Sequence, residues 1–147
     1  MKIRHFKDLI AWQVAHDLAV AIYGATAIFP KSEQFGLTSQ MRRAAVSITS
    51  NIAEGYGRWT AADKKHFYVI AMGSAHELES QLLIAKDVGH LSEITVVGLL
   101  EKTERSCRLL NGLITSVIPH PPPHPHPHPQ IPDTKDHIPN TPSVPHT

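Results

Sequence analysis

The chain is short of cysteine, of proline before residue 119, of long apolar runs and of excess charge, and each shortage removes a class of protein. Cys107 is the one cysteine in 147 residues. That excludes an intrachain disulfide and fits a reducing compartment. No segment approaches the ~18 consecutive apolar residues that a membrane-spanning helix needs. The opening MKIRHFKDLIAWQ is charged and holds no signal-peptide apolar run, so a cytoplasmic location and no membrane partner are expected. Formal charge is only +1. Residues 1–118 carry 13 Lys/Arg against 11 Asp/Glu, a net of +2, and the remainder carries one Lys against two Asp, a net of −1. A dedicated nucleic-acid coat is far more basic. Any RNA site must come from local clustering, or from repetition around an oligomer.

Catalytic signatures are equally scarce. No serine, histidine and carboxylate stand at spacings that suggest a nucleophilic triad. Gly55-x-Gly57 lacks the lysine and hydroxyl of a phosphate loop and follows no strand, which leaves it as a helix terminus. Two carboxylate-x-x-His patterns, Asp63–His66 and Asp87–His90, match the di-metal signature of helical bundles. Along one helix, however, 24 residues at ~1.5 Å each separate them by ~36 Å, too far to share a metal pair. His66 and His90 are therefore expected as exposed helix-end residues. The chain is expected not to be an enzyme, with no cofactor and no small-molecule substrate.

Eleven of the twelve prolines lie at or beyond Pro119. The stretch PHPPPHPHPHPQIPDTKDHIPNTPSVPHT has no apolar periodicity, and its prolines remove backbone donors. It cannot bury enough surface to offset its conformational entropy, so residues 119–147 are expected as a disordered, locally polyproline-like tail beyond a folded domain of residues 1–118. His124, His126 and His128 alternate with proline in it. Neutral imidazoles there could bind Zn²⁺, Ni²⁺ or Cu²⁺ weakly, but without fixed geometry no metal site is assigned and the tail is expected to be inert.

What is present is helical period. A first helix is expected over about Lys7–Ile28, with Trp12, Ala15, Leu18, Ala19, Ile22 and Phe29 on one face and Pro30 as its stop. The second fills most of Phe35–Arg58. Leu37, Met41, Ala44, Ala45, Ile48 and Ile52 form its apolar stripe. A polar stripe holds Gln40, Arg43, Ser47, Ser50, Asn51 and Glu54, and a third face holds Arg42, Val46, Thr49 and Ala53. Contacts on more than one side follow, with Gly55 and Gly57 available for a left-handed cap. The third helix starts at a capping box, Thr60-Ala61-Ala62-Asp63, and runs to about Val88 with Gly89 as its stop. Phe67, Ile70, Ala71, Ser74, Leu78, Leu82 and Ala85 form its expected buried stripe. A fourth, about Glu93–Val117, has a seam of Val96, Leu99/Leu100, Thr103, Cys107, Leu110, Ile114 and Val117. In that seam Cys107 is a small hydrophobe. Long helices on short connections make antiparallel neighbours. The fold class is all-α: a left-handed, antiparallel up-down-up-down four-helix bundle with a disordered Pro/His-rich C-terminal tail.

GLTSQMRRAAVSITSNIAEGYGR, with FKDLIAWQVA before it and FYVIAMGSAHELESQLLIA after it, resembles a bacterial four-helix-bundle family. That family is known for proteins encoded in intervening sequences of 23S ribosomal RNA genes. The resemblance runs from about Phe6 to Ile118 with motif order and spacing kept. Thr49 departs from it, since relatives commonly have proline there, and the tail is not covered. The resemblance implies an all-helical bundle and a ring-like homo-oligomer, a pentamer, without a settled biochemical activity. A related branch assists retroelement reverse transcription and binds nucleic acid, which turns attention to RNA.

The candidate RNA or nucleoprotein contact is Arg42, Arg43, Arg58, Lys64 and Lys65 with Tyr56 and Trp59 available to stack on bases. Arg42 and Arg43 have a competing role, pairing with carboxylates at an interface. The competing function overall is a purely protein-binding scaffold. Glu77 falls on the apolar side of the third helix, where a carboxylate is costly unless paired. Arg43, Asn51 or another subunit's arginine is the expected partner. Asn51, Glu54 and Glu77 are thus interface or structural candidates.

Overall fold

A computed structural model describes residues 1–117. The expected disordered tail, with His124, His126 and His128, lies outside the described residues. Four helices carry the fold: α1 (Ile10–Thr26), α2 (Leu37–Tyr56), α3 (Ala61–Asp87) and α4 (Glu93–Ser116). Each packs on its neighbours in sequence, and α4 closes on α1, while the backbones of the diagonal pairs α1/α3 and α2/α4 stay apart. That is the antiparallel up-down-up-down bundle. No described helix is long and apolar enough to cross a membrane.

The core follows the apolar stripes. Leu18, Ile22, Met41, Ile48, Ile52, Leu78, Leu82 and Leu110 are fully buried. On α2 the whole expected stripe is buried except Leu37, which is half-buried. The two other faces of α2 are its helix seams. Arg42 reaches Thr26 and Tyr23 of α1, and Ser47 shares a 2.8 Å hydroxyl–hydroxyl hydrogen bond with Ser74 of α3. Small residues at this second seam let the two backbones come close.

Several expectations are corrected. The first helix starts at Ile10, because His5 and Asp8 cap a separate 3-10 turn over Phe6–Asp8. Its last helical residue is Thr26, with Ile28 exposed beyond it. Trp12 is half-buried, stacked on His16 with ring centroids 4.8 Å apart. The buried stripe of α3 is rotated: Tyr68 is 4% exposed, whereas Phe67 is half-buried and Ile70 is exposed. On α4 Ser106 is buried alongside the expected Thr103, and Cys107 is half-buried at the edge of the core. Burial, with lesser contributions from Glu79 and Glu104, raises the Cys107 thiol pKa.

The glycines also trade roles. Gly57 has φ −75, so the end of α2 is not left-handed. Among the described residues, Gly89 is the one glycine with positive φ, at +80. It ends α3 in a Schellman arrangement, with His90 N–H donating to the Ala85 carbonyl (2.9 Å) and Gly89 N–H to that of Lys86 (3.0 Å). Gly55 has a steric reason instead. A Cβ there would lie 2.6 Å from Cε1 of Tyr68.

Candidate nucleic-acid interface

The candidate contact residues do not form one surface. Arg43 and Tyr56 lie 13 residues apart on α2, about 20 Å at helical rise, so Arg42 and Arg43 are remote from the α2–α3 turn. Arg42 donates from Nε to Thr26 Oγ1 (2.9 Å), and its guanidinium lies 4.6 Å from the Tyr23 ring centroid. Its partners are thus a hydroxyl, a carbonyl and a ring rather than the expected carboxylate. Arg43 pairs with Glu77 and also donates to Gln40 (3.1 Å).

Glu77 sits at the edge of the α2–α3 seam, its side chain 38% exposed, rather than on the apolar side. Of the two expected partners within the chain, Arg43 is the one engaged, and Gln81 adds a second donor at 3.2 Å. Asn51 does not reach Glu77. Its amide donates to the carbonyl (2.8 Å) and hydroxyl (3.0 Å) of Ser47, one turn back on α2. Glu54 forms an ion pair with Arg58.

The α2–α3 turn keeps Arg58, Trp59, Lys64 and Lys65 together. Thr60 caps α3 by accepting from Asp63 N–H at 3.1 Å. That fixed start sets Lys64 one turn into α3, facing the end of α2. Its ammonium donates to the Tyr56 carbonyl at 2.7 Å and more distantly to that of Gly55 at 3.5 Å. Those carbonyls are among the last four of α2, which have no intrahelical partner, and a cation there also complements the helix dipole. Lys64 is therefore a structural cap. Arg58 is held by Glu54 and by the Phe67 ring, 4.5 Å from its guanidinium carbon. Lys65 is exposed, with no ion pair among the described residues. Tyr56 is half-buried beside Lys64, 5.5 Å from the ammonium, so it is the poorer stacking platform.

Trp59 is different. It is 98% exposed, a large apolar surface held in water on a turn that is fixed on both sides. With Lys64, Tyr68, Leu113 and Val117 it lines an open cavity of about 350 Å³. Burial raises the Tyr68 pKa, and Tyr56 adds to this, so its phenol remains a donor. Tyr68 was not legible as a site residue. The signal that could have found it is Gly55, a small residue facing a bulky one across a tight turn.

The remaining titratable groups do not gather into a centre. No group of three His, Cys, Asp or Glu among the described residues could hold a metal ion. Asp63–His66 and Asp87–His90 occupy opposite ends of α3. His66 is exposed, but His90 is not: it is half-buried, with its ring 5.3 Å from that of Phe29 and Nε2 3.4 Å from Glu33 Oε1. The Schellman turn directs His90 there.

Residues 7–112 match the family model of the 23S rRNA-intervening sequence protein. The chain belongs to this family. A solved structure from the same neighbourhood is described as a protein with unknown function from the S23 ribosomal protein family from Bacteroides thetaiotaomicron. It superposes with a TM-score of 0.68 at 22% identity, over 74% of this chain and 98% of that one. At that identity the likeness establishes the shared bundle. No curated protein matches the chain. The 23S rRNA-intervening sequence proteins thus supply fold and membership.

Proposed function

We propose that this protein is a non-enzymatic, cytoplasmic assembly module: a ring-like homo-oligomer, pentameric, that holds RNA or a nucleoprotein at its α2–α3 turn. The observation that carries the RNA contact is the near-complete exposure of Trp59 between the cations Arg58 and Lys65. An indole on a rigid turn offers a stacking face to any base, and the flanking cations suit phosphates. Repetition around a ring would multiply a site that is weak in one copy.

Self-assembly has separate support. Val69, Ile70, Leu83 and Ile84 are exposed on α3 with Val88 at its C-cap, and Ile10, Val20 and Tyr23 on α1 with Ile28 just beyond it. A helix apolar on all sides normally has neighbours on all sides. Because α1 and α3 lie diagonally across the bundle, one copy's α3 face meeting the next copy's α1 face is a head-to-tail contact, the kind that closes into rings. Placing a charge there with Ile84→Glu should convert the oligomer to smaller species in light scattering. An unchanged mass would remove α3 from the interface.

Binding of the full chain to labelled structured RNA across salt concentrations tests the RNA contact. Affinity should fall steeply with salt. In an Arg58→Ala/Lys65→Ala variant the log–log slope should shrink by roughly 1.5, since two phosphate contacts are lost. Trp59→Ala should weaken binding by ~1–3 kcal/mol. A second proposal, a purely protein-binding scaffold, is favoured by the prior engagement of Arg58 with Glu54 and of Lys64 with α2 carbonyls. Binding that is absent or insensitive to salt at the lowest concentrations would select it.

A further inference from the structure

The groove beside Trp59 has an occupant available within the chain. Val117, the last described residue, lines the same cavity as Trp59, Tyr68 and Leu113. The proline-rich stretch Pro119–Pro129 begins two residues further along the sequence. We propose that the prolines from Pro119 to Pro123 dock on Trp59 in the same copy, as a polyproline segment against an aromatic platform.

Three observations support this occupant. Geometry is the first. Polyproline advances ~3.1 Å per residue, so Pro119 to Pro123 lie ~6–19 Å along the chain from Val117, a range that covers a cavity of this size. Chemistry is the second. Between Pro119 and Pro123 only His120 keeps a backbone N–H, so the segment carries mostly carbonyl acceptors. The indole N–H of Trp59 and the phenol of Tyr68 make no hydrogen bond among the described residues, and the Ser116 hydroxyl on the same wall already donates to the Leu113 carbonyl, so the groove has two donors to offer. Flat aromatic grooves with such donors are the usual receptors of polyproline segments. Tethering is the third. A segment joined directly to the groove wall has a local concentration in the millimolar range, so a contact too weak to form between free molecules is populated here. The proposal does not depend on the RNA contact, although both would use the indole.

The test uses Trp12→Phe in the full chain, which leaves Trp59 as the single indole of the two in the sequence. Acrylamide quenching and emission maximum are compared with and without Pro121→Ser/Pro122→Ser/Pro123→Ser. If a millimolar contact leaves about half of the molecules docked, the serine variant should be quenched up to about twofold more readily, with red-shifted emission. A synthetic peptide of residues 118–130, added at millimolar concentration to the serine variant, should restore protection. Identical quenching in the two chains would overturn the proposal. So would protection that fades on dilution, which places the contact between copies, or protection removed by nuclease, which assigns the indole to nucleic acid. If Trp12→Phe disturbs folding, subtracting the Trp59→Phe signal from that of the parent chain isolates the same indole.

Discussion

The two ends of the bundle are built on opposite plans. At one end the α1–α2 and α3–α4 connections are closed onto each other. Glu33 Oε2 accepts from the Leu37 N–H at 2.8 Å, capping α2, while Oε1 lies 3.4 Å from His90 on the other connection. Phe29 packs beneath the imidazole. Gly36 leaves room for the carboxylate, since a Cβ there would lie 2.9 Å from Glu33 Oε2. At the other end a single short turn joins α2 and α3, its polar groups satisfied by Lys64 and Thr60, and its indole left in water. The closed end has used its chemistry on the fold. The open end leaves an indole surface uncovered, which is where the proposed partner would bind.

The contrast can be broken first at Gly55, on which the open end is seated. Gly55→Ala drives a methyl into the buried Tyr68 ring and within 3.2 Å of the Lys64 carbonyl. Overpacking of this kind costs about 1–3 kcal/mol, measured by urea unfolding, and it should also displace the turn that carries Trp59. Next, Lys64→Met keeps the aliphatic stem but leaves the Tyr56 carbonyl without its donor. The expected loss is about 1 kcal/mol, at low and high salt alike where hydrogen bonding dominates.

At the closed end the sharper test is pH. The Leu37 N–H, followed by the His90 contact, holds the Glu33 carboxyl below its ordinary range. A lowered folded pKa contributes stability that is complete above the unfolded carboxylate value, ~4.3, and lost as pH falls through the folded value. Glu33→Gln should therefore unfold at lower temperature than wild type at pH 7, and the gap should close on acidification below about pH 4. A gap that persists in acid would mean the carboxylate is not the cap. The smallest stability effect belongs to Trp59→Ala, within about 0.5 kcal/mol of wild type, because an exposed side chain has little packing to lose. A large loss would show that the indole belongs to the fold and would count against both uses proposed for it.

Much of the bundle was legible in the residues. Pro30, Thr60 and Gly89 mark boundaries that hold locally, and the α2 stripe from Met41 to Ile52 is buried as its spacing requires. Reading α3 was harder because it is apolar almost all round. Periodicity puts Phe67 and Ile70 inside, whereas Tyr68 is the buried ring and Ile70 is exposed. The site suffered more. A cluster of cations in sequence says nothing of prior engagements, and only packing shows that Glu54 holds Arg58 and that Lys64 crosses the turn to the carbonyls of α2.

Local spacing was enough to settle the four helices, the capped start and glycine stop of α3 and the side of α2 that faces the core, because these depend on spacings of three and four and on backbone preferences of single residues. Tertiary structure alone decided the partner of each charge, the register of α3, the closure of one end by Glu33 and His90, and the exposure of Trp59. Those features depend on residues distant in the chain meeting at specific heights along packed helices. Spacing within a single helix cannot encode that meeting.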